Sequence, residues 1–495
     1  MLRASSISQI LLMLLAGASA TLSFAPFNWP AFSLISVITA YLLLQRSRSG
    51  WRSGWLYGSG FFGAGVSWVY VSIHYHGGMN APVAALMTAL FCVGLGLLFA
   101  LQFYLYKRIF KHPSPIGFAA LWIGFEWLRS WLLTGFPWLY LGYGWIDTPL
   151  ANLAPLGGIW LVSSAVVVLA LLVAFAIQHR ESKTLIAALL IFAGINFVPP
   201  ASIDQSGRSI KLALIQPNIS QSLKWQQSHF DSHIRQLGEL SLDAPDAQWI
   251  IWPETAIPRL INSSFDVLSP WINELDRRSQ ILVSGFPRRE WRDDAERWVY
   301  LNSIGTLTGF PSVYDKQRLV PFGEYIPMEN WLRGAIEFFD LPMSSFSLPN
   351  KQSTPLQIGD TPVAASVCYE IAYPELVRSE VNAGTSLMLT VSNDTWFEGS
   401  HGPAQHLQIA RMRALENNRW LIRATNNGHT AVIDPLGRIA AQAPDRSTQV
   451  LQTEVWPNTE STVYQRFGSY PTLLGWLVLF VVALIYSRRQ RSFKH

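Results

Sequence analysis

Eight apolar segments divide this chain, and the loops between them alternate in charge. The segments run at about 7–22, 30–44, 53–73, 81–106, 116–134, 155–177, 184–198 and 471–486. Arg3 precedes the first, and the turn after it, Phe24 to Trp29, is uncharged. Arg46, Arg48 and Arg52 follow the second; His74-Tyr-His-Gly-Gly78, without Lys or Arg, follows the third. Lys107, Arg108 and Lys111 follow the fourth, nothing basic the fifth, Arg180 and Lys183 the sixth. Arg488, Arg489, Arg491 and Lys494 close the chain. Basic loops stay on the cytoplasmic side of a membrane. The alternation therefore predicts both termini in the cytoplasm and residues 199–470 outside it.

Composition agrees. The chain is 50% hydrophobic and 14% charged, where a soluble domain carries about 25% charged residues. The net charge of +5 does not point to nucleic acid, because the basic residues cluster beside apolar segments. Several segments are shorter than the ~20 residues a perpendicular helix needs, so the first two are expected to form a hairpin that barely spans. Arg3, an apolar run and Ala18-Ser-Ala20 also fit a cleaved signal peptide. We read the segment as an uncut anchor, because Phe24 to Trp29 suits a tight interfacial turn between paired helices.

Within the spans, Gly54 and Gly58 read as close helix packing. His74 and His76 lack a nearby Cys, Asp or Glu and read as a wet loop rather than a metal site. Glu126 and Arg129, three apart in the fifth span, read as a structural ion pair, with a substrate role as the alternative. The aromatic loop from Gly135 to Tyr143 reads as an interfacial belt or the wall of a lipid entrance.

After a linker at 206–209, charges appear and apolar runs shorten. Strand-like runs fall at 212–216, 249–252, 281–284, 363–367, 387–392 and 430–433. Helix-like stretches fall at 230–242, 269–278, 373–383 and 403–418. The alternation predicts an α/β domain with a largely buried sheet.

Three segments carry chemistry. Trp249-Ile-Ile-Trp-Pro-Glu254 presents an acid where a strand stops. Tyr314-Asp-Lys316 leads to Val320-Pro-Phe-Gly-Glu324-Tyr325. Ala365-Ser-Val-Cys-Tyr-Glu370 ends a buried run on one of only two cysteines. The other, Cys92, lies in an apolar span, so no disulfide framework is expected. A carboxylate to take a thiol proton, a thiolate to attack an acyl carbon and a cation to hold the oxyanion are what acyl transfer through a thioester needs. Taken alone, Cys368 reads first as a small core residue.

These blocks resemble the Glu-Lys-Cys triad of the nitrilase superfamily. With the flanking spans, Gly135-Phe-Pro-Trp138, Ser392-Asn-Asp394, Trp396-Phe397 and Arg423-Ala-Thr-Asn426, they resemble one branch of it, the apolipoprotein N-acyltransferases, over nearly the whole chain. The resemblance implies a multi-span α-helical membrane domain (1–200), an extracytoplasmic nitrilase-like α-β-β-α sandwich (208–455) and a last membrane helix (470–487), in a bacterial inner membrane. It implies an acyl chain moved from a phospholipid, phosphatidylethanolamine, onto Cys368 and then to the N-terminal α-amine of a diacylglyceryl-cysteine apolipoprotein. Glu254 is then the general base, Lys316 the oxyanion cation and Cys368 the nucleophile. Glu324 is a second acid holding Lys316; Tyr369 and Glu370 shape the site, the Tyr369 N–H being a second oxyanion donor. No metal or organic cofactor is expected. Asn427-Gly-His429 departs from the family pattern and touches fine preference rather than the reaction.

The apolar insert Trp331 to Met343 reads as a mobile lid or as a packed satellite helix. Two other functions remain open: a membrane-tethered amide or nitrile hydrolase with the same triad, and a non-catalytic membrane scaffold with a nitrilase-like binding domain.

Overall fold

The computed structural model describes residues 6–293, 296–326, 345–351 and 354–492. The insert at 331–343 lies outside the described residues. The chain forms two compact units. One holds residues up to Tyr70, Asn80–Pro200 and the chain from Phe467; the other holds Val71–Met79 and Ala201–Arg466.

The first unit is helical: Ser6–Ser19, Ala31–Arg46, Gly50–Gly65, Ala81–Ile109, Pro115–Leu128, Ala154–His179, Ser182–Ile195 and Tyr470–Ser492. Their starts follow capping chemistry. Ser49, Asn80 and Ser114 each accept a hydrogen bond from a first-turn N–H of the helix they precede. Among the described residues, three helices are long and apolar enough to cross a membrane: Ala81–Ile109, Pro149–His179 and Tyr470–Arg489. Gly54 and Gly58 pack closely, as expected. A Cβ on Gly54 would sit 2.0 Å from the Phe99 carbonyl oxygen, and one on Gly58 2.7 Å from the Gly96 Cα.

Two expected spans are shorter than they read. The third ends at Gly65, where Val66 leaves the helical region with φ −131°. Residues 71–79 belong to the second unit, and the His76 ring lies 5.4 Å from Trp396. The fifth ends at Leu128; Leu133 and Thr134 beyond it have φ of 51° and 74°, which a helix cannot continue through. The aromatic loop is not an exposed belt. Trp138, Tyr140 and Tyr143 are buried within the helical unit. Arg129 donates to the Trp138 carbonyl at 3.2 Å, and the Leu141 N–H donates to Glu126 at 3.1 Å. Glu126 and Arg129 lie 4.0 Å apart, both buried. The pair thus clamps that loop.

Among its described residues, the second unit holds two six-stranded sheets. The first is built from β1 (Ile210–Gln216), β2 (Trp249–Ile251), β3 (Ile281–Arg292), β4 (Arg297–Thr306) and β5 (Val313–Asp315). The second is built from β6 (Leu356–Ile358), β7 (Thr361–Val367), β8 (Leu387–Ser392), β9 (Leu421–Thr425), β10 (Ala431–Ile433) and β11 (Ile439–Gln442). β12 (Gln449–Val455) returns to pair antiparallel with β1, giving the orders β12-β1-β2-β3-β4-β5 and β11-β10-β9-β8-β7-β6.

The two-residue period of a strand builds the layers. Leu212, Leu214 and Ile251 of one sheet meet Val363, Ala365, Val367, Leu389 and Val391 of the other in the central core. Ala213, Ile215 and Ile250 point the other way, under the Phe230–Leu242 and Phe265–Arg277 helices. Ala364 and Met388 point under the Pro374–Asn382 and Gly402–Asn417 helices. The result is an α-β-β-α sandwich. Strands covered on both faces read as continuous apolar runs, which is why β1, β7 and β8 stand out in the sequence.

Candidate active site

In each sheet the central strands run parallel, β1-β2-β3 and β7-β8-β9. Their C-terminal ends are where open α/β sheets place ligands. Glu254 stands just past the end of β2, Lys316 just past β5, Cys368 just past β7, and Asn393-Asp394 just past β8.

The structure brings Glu254, Lys316 and Glu324 into one buried cluster. Lys316 Nζ lies 2.8 Å from Glu324 Oε2 and 4.0 Å from Glu254 Oε1. Asn302, on β4, bridges the two acids: its Nδ2 donates to Glu254 Oε1 at 3.0 Å and to Glu324 Oε1 at 2.9 Å. The Asn393 N–H donates to Glu254 Oε2 at 3.0 Å, and the Val320 N–H to Glu324 Oε2 at 2.9 Å. Glu254 thus has both oxygens fixed, one by each sheet. Burial alone pulls the Lys316 ammonium down, but the carboxylates of Glu324 and Glu254 outweigh it and hold the amine firmly protonated.

Cys368 is partly exposed and adopts φ +55°. A left-handed residue at a strand end makes a sharp elbow that turns its side chain out of the sheet. Burial and the Glu254 carboxylate push the thiol up, and Lys316 pulls it back. The resting sulfur is therefore a thiol, and any attack by it would need a base to take its proton. Ser392 Oγ lies 3.5 Å from Sγ and 2.6 Å from Asp394 Oδ1. Its single proton goes to the nearer, charged acceptor, Asp394.

Glu370 does a different job. It is fully buried, and its Oε1 accepts from the Gln317 N–H at 2.6 Å and the Arg318 N–H at 3.0 Å. Its Oε2 accepts from the Val367 N–H at 2.7 Å. The carboxyl ties the turn carrying Lys316 to the strand carrying Cys368. Burial raises it to about 7, against the pull of Lys316 and those three N–H groups. The Tyr369 ring packs edge-on to Tyr373, centroids 5.4 Å apart.

Sequence reasoning missed several residues here. Asn302 sits in a strand that was not expected. Lys224 is buried and donates to the Glu254 carbonyl at 3.0 Å; burial lowers it to about 8, against the pull of Glu254 and Cys368. His406 lies on the Gly402–Asn417 helix, with Nε2 3.1 Å from the Cys368 carbonyl. An isolated amide in a strand, like a Lys or His on a mixed helix, gives no local signal of such a role. The turn at 427–429 is held to β9, since Arg423 Nε donates to the His429 carbonyl at 3.2 Å.

Comparison with known proteins decides the family. Residues 16–172 match the profile of the apolipoprotein N-acyltransferase N-terminal domain, and residues 211–464 that of carbon-nitrogen hydrolases. The chain is 44% identical to an apolipoprotein N-acyltransferase of Pseudomonas syringae, covering 97% of each. The chain belongs to the apolipoprotein N-acyltransferase family. Relatives of that name from Pseudomonas putida (42%, 95% of this chain, 96% of the relative) and Vibrio vulnificus (39%, 96% of each) agree. The sandwich also aligns with Saccharomyces cerevisiae Nit3 at 19% identity, over 55% of this chain and 97% of that one, TM-score 0.37. As a member of the family the chain is a membrane protein and an N-acyltransferase.

Proposed function

We propose that this enzyme moves an acyl chain from the sn-1 position of phosphatidylethanolamine, through a Cys368 thioester, to the α-amine of an apolipoprotein's diacylglyceryl-cysteine. It is the last step of lipoprotein maturation. Glu254 takes the thiol proton while Sγ bonds to the ester carbon, and the carbonyl electrons move to oxygen. Lys316 and the Tyr369 N–H hold that oxyanion. Its collapse breaks the ester C–O bond, and Glu254 returns the proton to the departing lysophospholipid. The amine of the acceptor then attacks the thioester carbon and gives its proton to Glu254. The C–S bond breaks, and the proton returns to Cys368. The lysophospholipid leaves before the acceptor attacks the acyl-enzyme, so the kinetics are ping-pong.

The observation that carries this reading is a buried acid and ammonium, joined through Asn302 and Glu324, whose charges act on the strand-tip thiol of Cys368, the three groups arriving from separate segments. A charged centre shielded from bulk water suits a thioester that an amine, not water, must discharge. Loop charges support the placement of both termini in the cytoplasm of a bacterial inner membrane, with the sandwich on the periplasmic side. Incubating purified protein with acyl-labelled phosphatidylethanolamine tests the first half-reaction. The reading expects hydroxylamine-labile label on Cys368 and none on a Cys368→Ala variant. Absence of label on the wild type, or its persistence in the variant, overturns it.

A further inference from the structure

Cys368 holds φ +55° although it carries a β-carbon. Such a conformation is sparsely populated and persists only where its surroundings impose it. The contact that bears on it is His406. A carbonyl only accepts, so His406 Nε2, 3.1 Å from the Cys368 oxygen, carries a proton. The other ring nitrogen, Nδ1, lies 3.2 Å from Arg423 Nη2 and 3.2 Å from Asp394 Oδ1. Arg423 Nη2 also donates to Asp394 Oδ2 at 2.7 Å. All three side chains are buried, Arg423 completely. Burial and the adjacent guanidinium hold the ring below the usual imidazole range. It is therefore neutral, with its single proton directed at Cys368.

The consequence lies in the next peptide unit. A trans peptide is planar, with C=O and N–H pointing in opposite directions. Fixing the Cys368 oxygen fixes the Tyr369 N–H. That N–H is the backbone donor next to the nucleophilic sulfur, where a tetrahedral oxyanion forms. We propose that His406, set by Asp394 and Arg423, is a positioning residue: it holds the Cys368–Tyr369 peptide plane so that the Tyr369 N–H meets the oxyanion beside Lys316. This role rests on the acyl-enzyme reading above. It lies outside the Glu-Lys-Cys triad, and His406 acts through the Cys368 backbone.

The test separates the oxyanion from the thiol. Alkylation of Cys368 by iodoacetamide forms no oxyanion; acylation by phosphatidylethanolamine does. His406→Asn keeps a polar side chain but is too short to reach the Cys368 carbonyl. His406→Gln restores a donor at about the reach of Nε2. The expected result for His406→Asn is a roughly 10- to 100-fold slower acylation with alkylation unchanged, and His406→Gln recovering most of the acylation rate. Wild-type acylation in His406→Asn overturns the role of His406 while leaving the triad intact. Acylation and alkylation falling together overturn it too, since the histidine then serves only the fold or the thiol. A wild type that alkylates but never acylates overturns both this role and the reading beneath it.

Discussion

Lys316 sets the charge balance of the site. Two carboxylates share Asn302, and one ammonium stands between them. Without that ammonium, two buried acids face each other and one must take up a proton. Lys316→Ala should therefore lower acyl-enzyme formation by at least about 10³-fold, losing the oxyanion cation and the ionised base together. The protonated acids should let the variant stay folded, which circular dichroism in detergent would check. Retained thioester formation would move the oxyanion role elsewhere. Lys316, Glu254 and Cys368 were legible because each stands where an apolar run stops. Asn302 was not. It lies in the middle of β4, and an isolated amide between Leu301 and Ser303 carries no mark of the two acids it bridges.

At the scale of elements, the site depends on strands approaching one another closely. Gly285, on β3, lies against the backbone that carries Glu254. A Cβ there would sit 2.6 Å from the Thr255 nitrogen and 2.8 Å from the Glu254 Cα. These are backbone atoms and cannot rotate away. Gly285→Ala should cost about 1–3 kcal/mol and slow acylation at least about 10-fold by displacing the acid, read as a lower melting temperature and a slower thioester burst. Glu370 links two elements and makes their union pH-dependent. Its folded value of about 7 lies above the ordinary carboxylate range, so the folded state binds the proton more tightly than the unfolded one. Stability from this group is full below about pH 4 and is lost as pH rises toward 7. Glu370→Gln should flatten that decline in a melting series between pH 4.5 and 7.5; an unchanged slope would remove Glu370 as its cause.

The same elements show what sequence could not reveal. β7 and β8 are apolar throughout because both faces are covered, and they were read within a residue or two. The outer half of β3 and the start of β4 pair as a hairpin carrying Arg288, Arg289, Glu290 and Arg297. Charged residues on an exposed ribbon look like loop. β12 alternates in exposure at a sheet edge, and its role is fixed by a partner more than 200 residues away, β1. Non-local pairing of that kind leaves no local signal.

At the scale of the whole molecule, the loop charges argue for one topology, and it has a direct check. Cys92 is buried in the Ala81–Ile109 helix, and a Cys368→Ala background removes the other native thiol. A Ser206→Cys variant should react with a membrane-impermeant maleimide in cells with a permeabilised outer membrane. An Arg48→Cys variant should react only after the inner membrane is opened. The reverse pattern would invert the chain. Topology in turn bears on chemistry, because a periplasmic site would meet a lipid donor and a lipid-linked acceptor at the same surface. The decisive measurement follows the acyl group through both halves of the reaction. Enzyme labelled on Cys368 would be freed of donor and mixed either with buffer or with a peptide whose N-terminal cysteine carries diacylglycerol. The account predicts label stable in buffer and transferred to the peptide α-amine in a single turnover. Release as free fatty acid at the same rate with or without peptide would contradict it and make the enzyme a hydrolase.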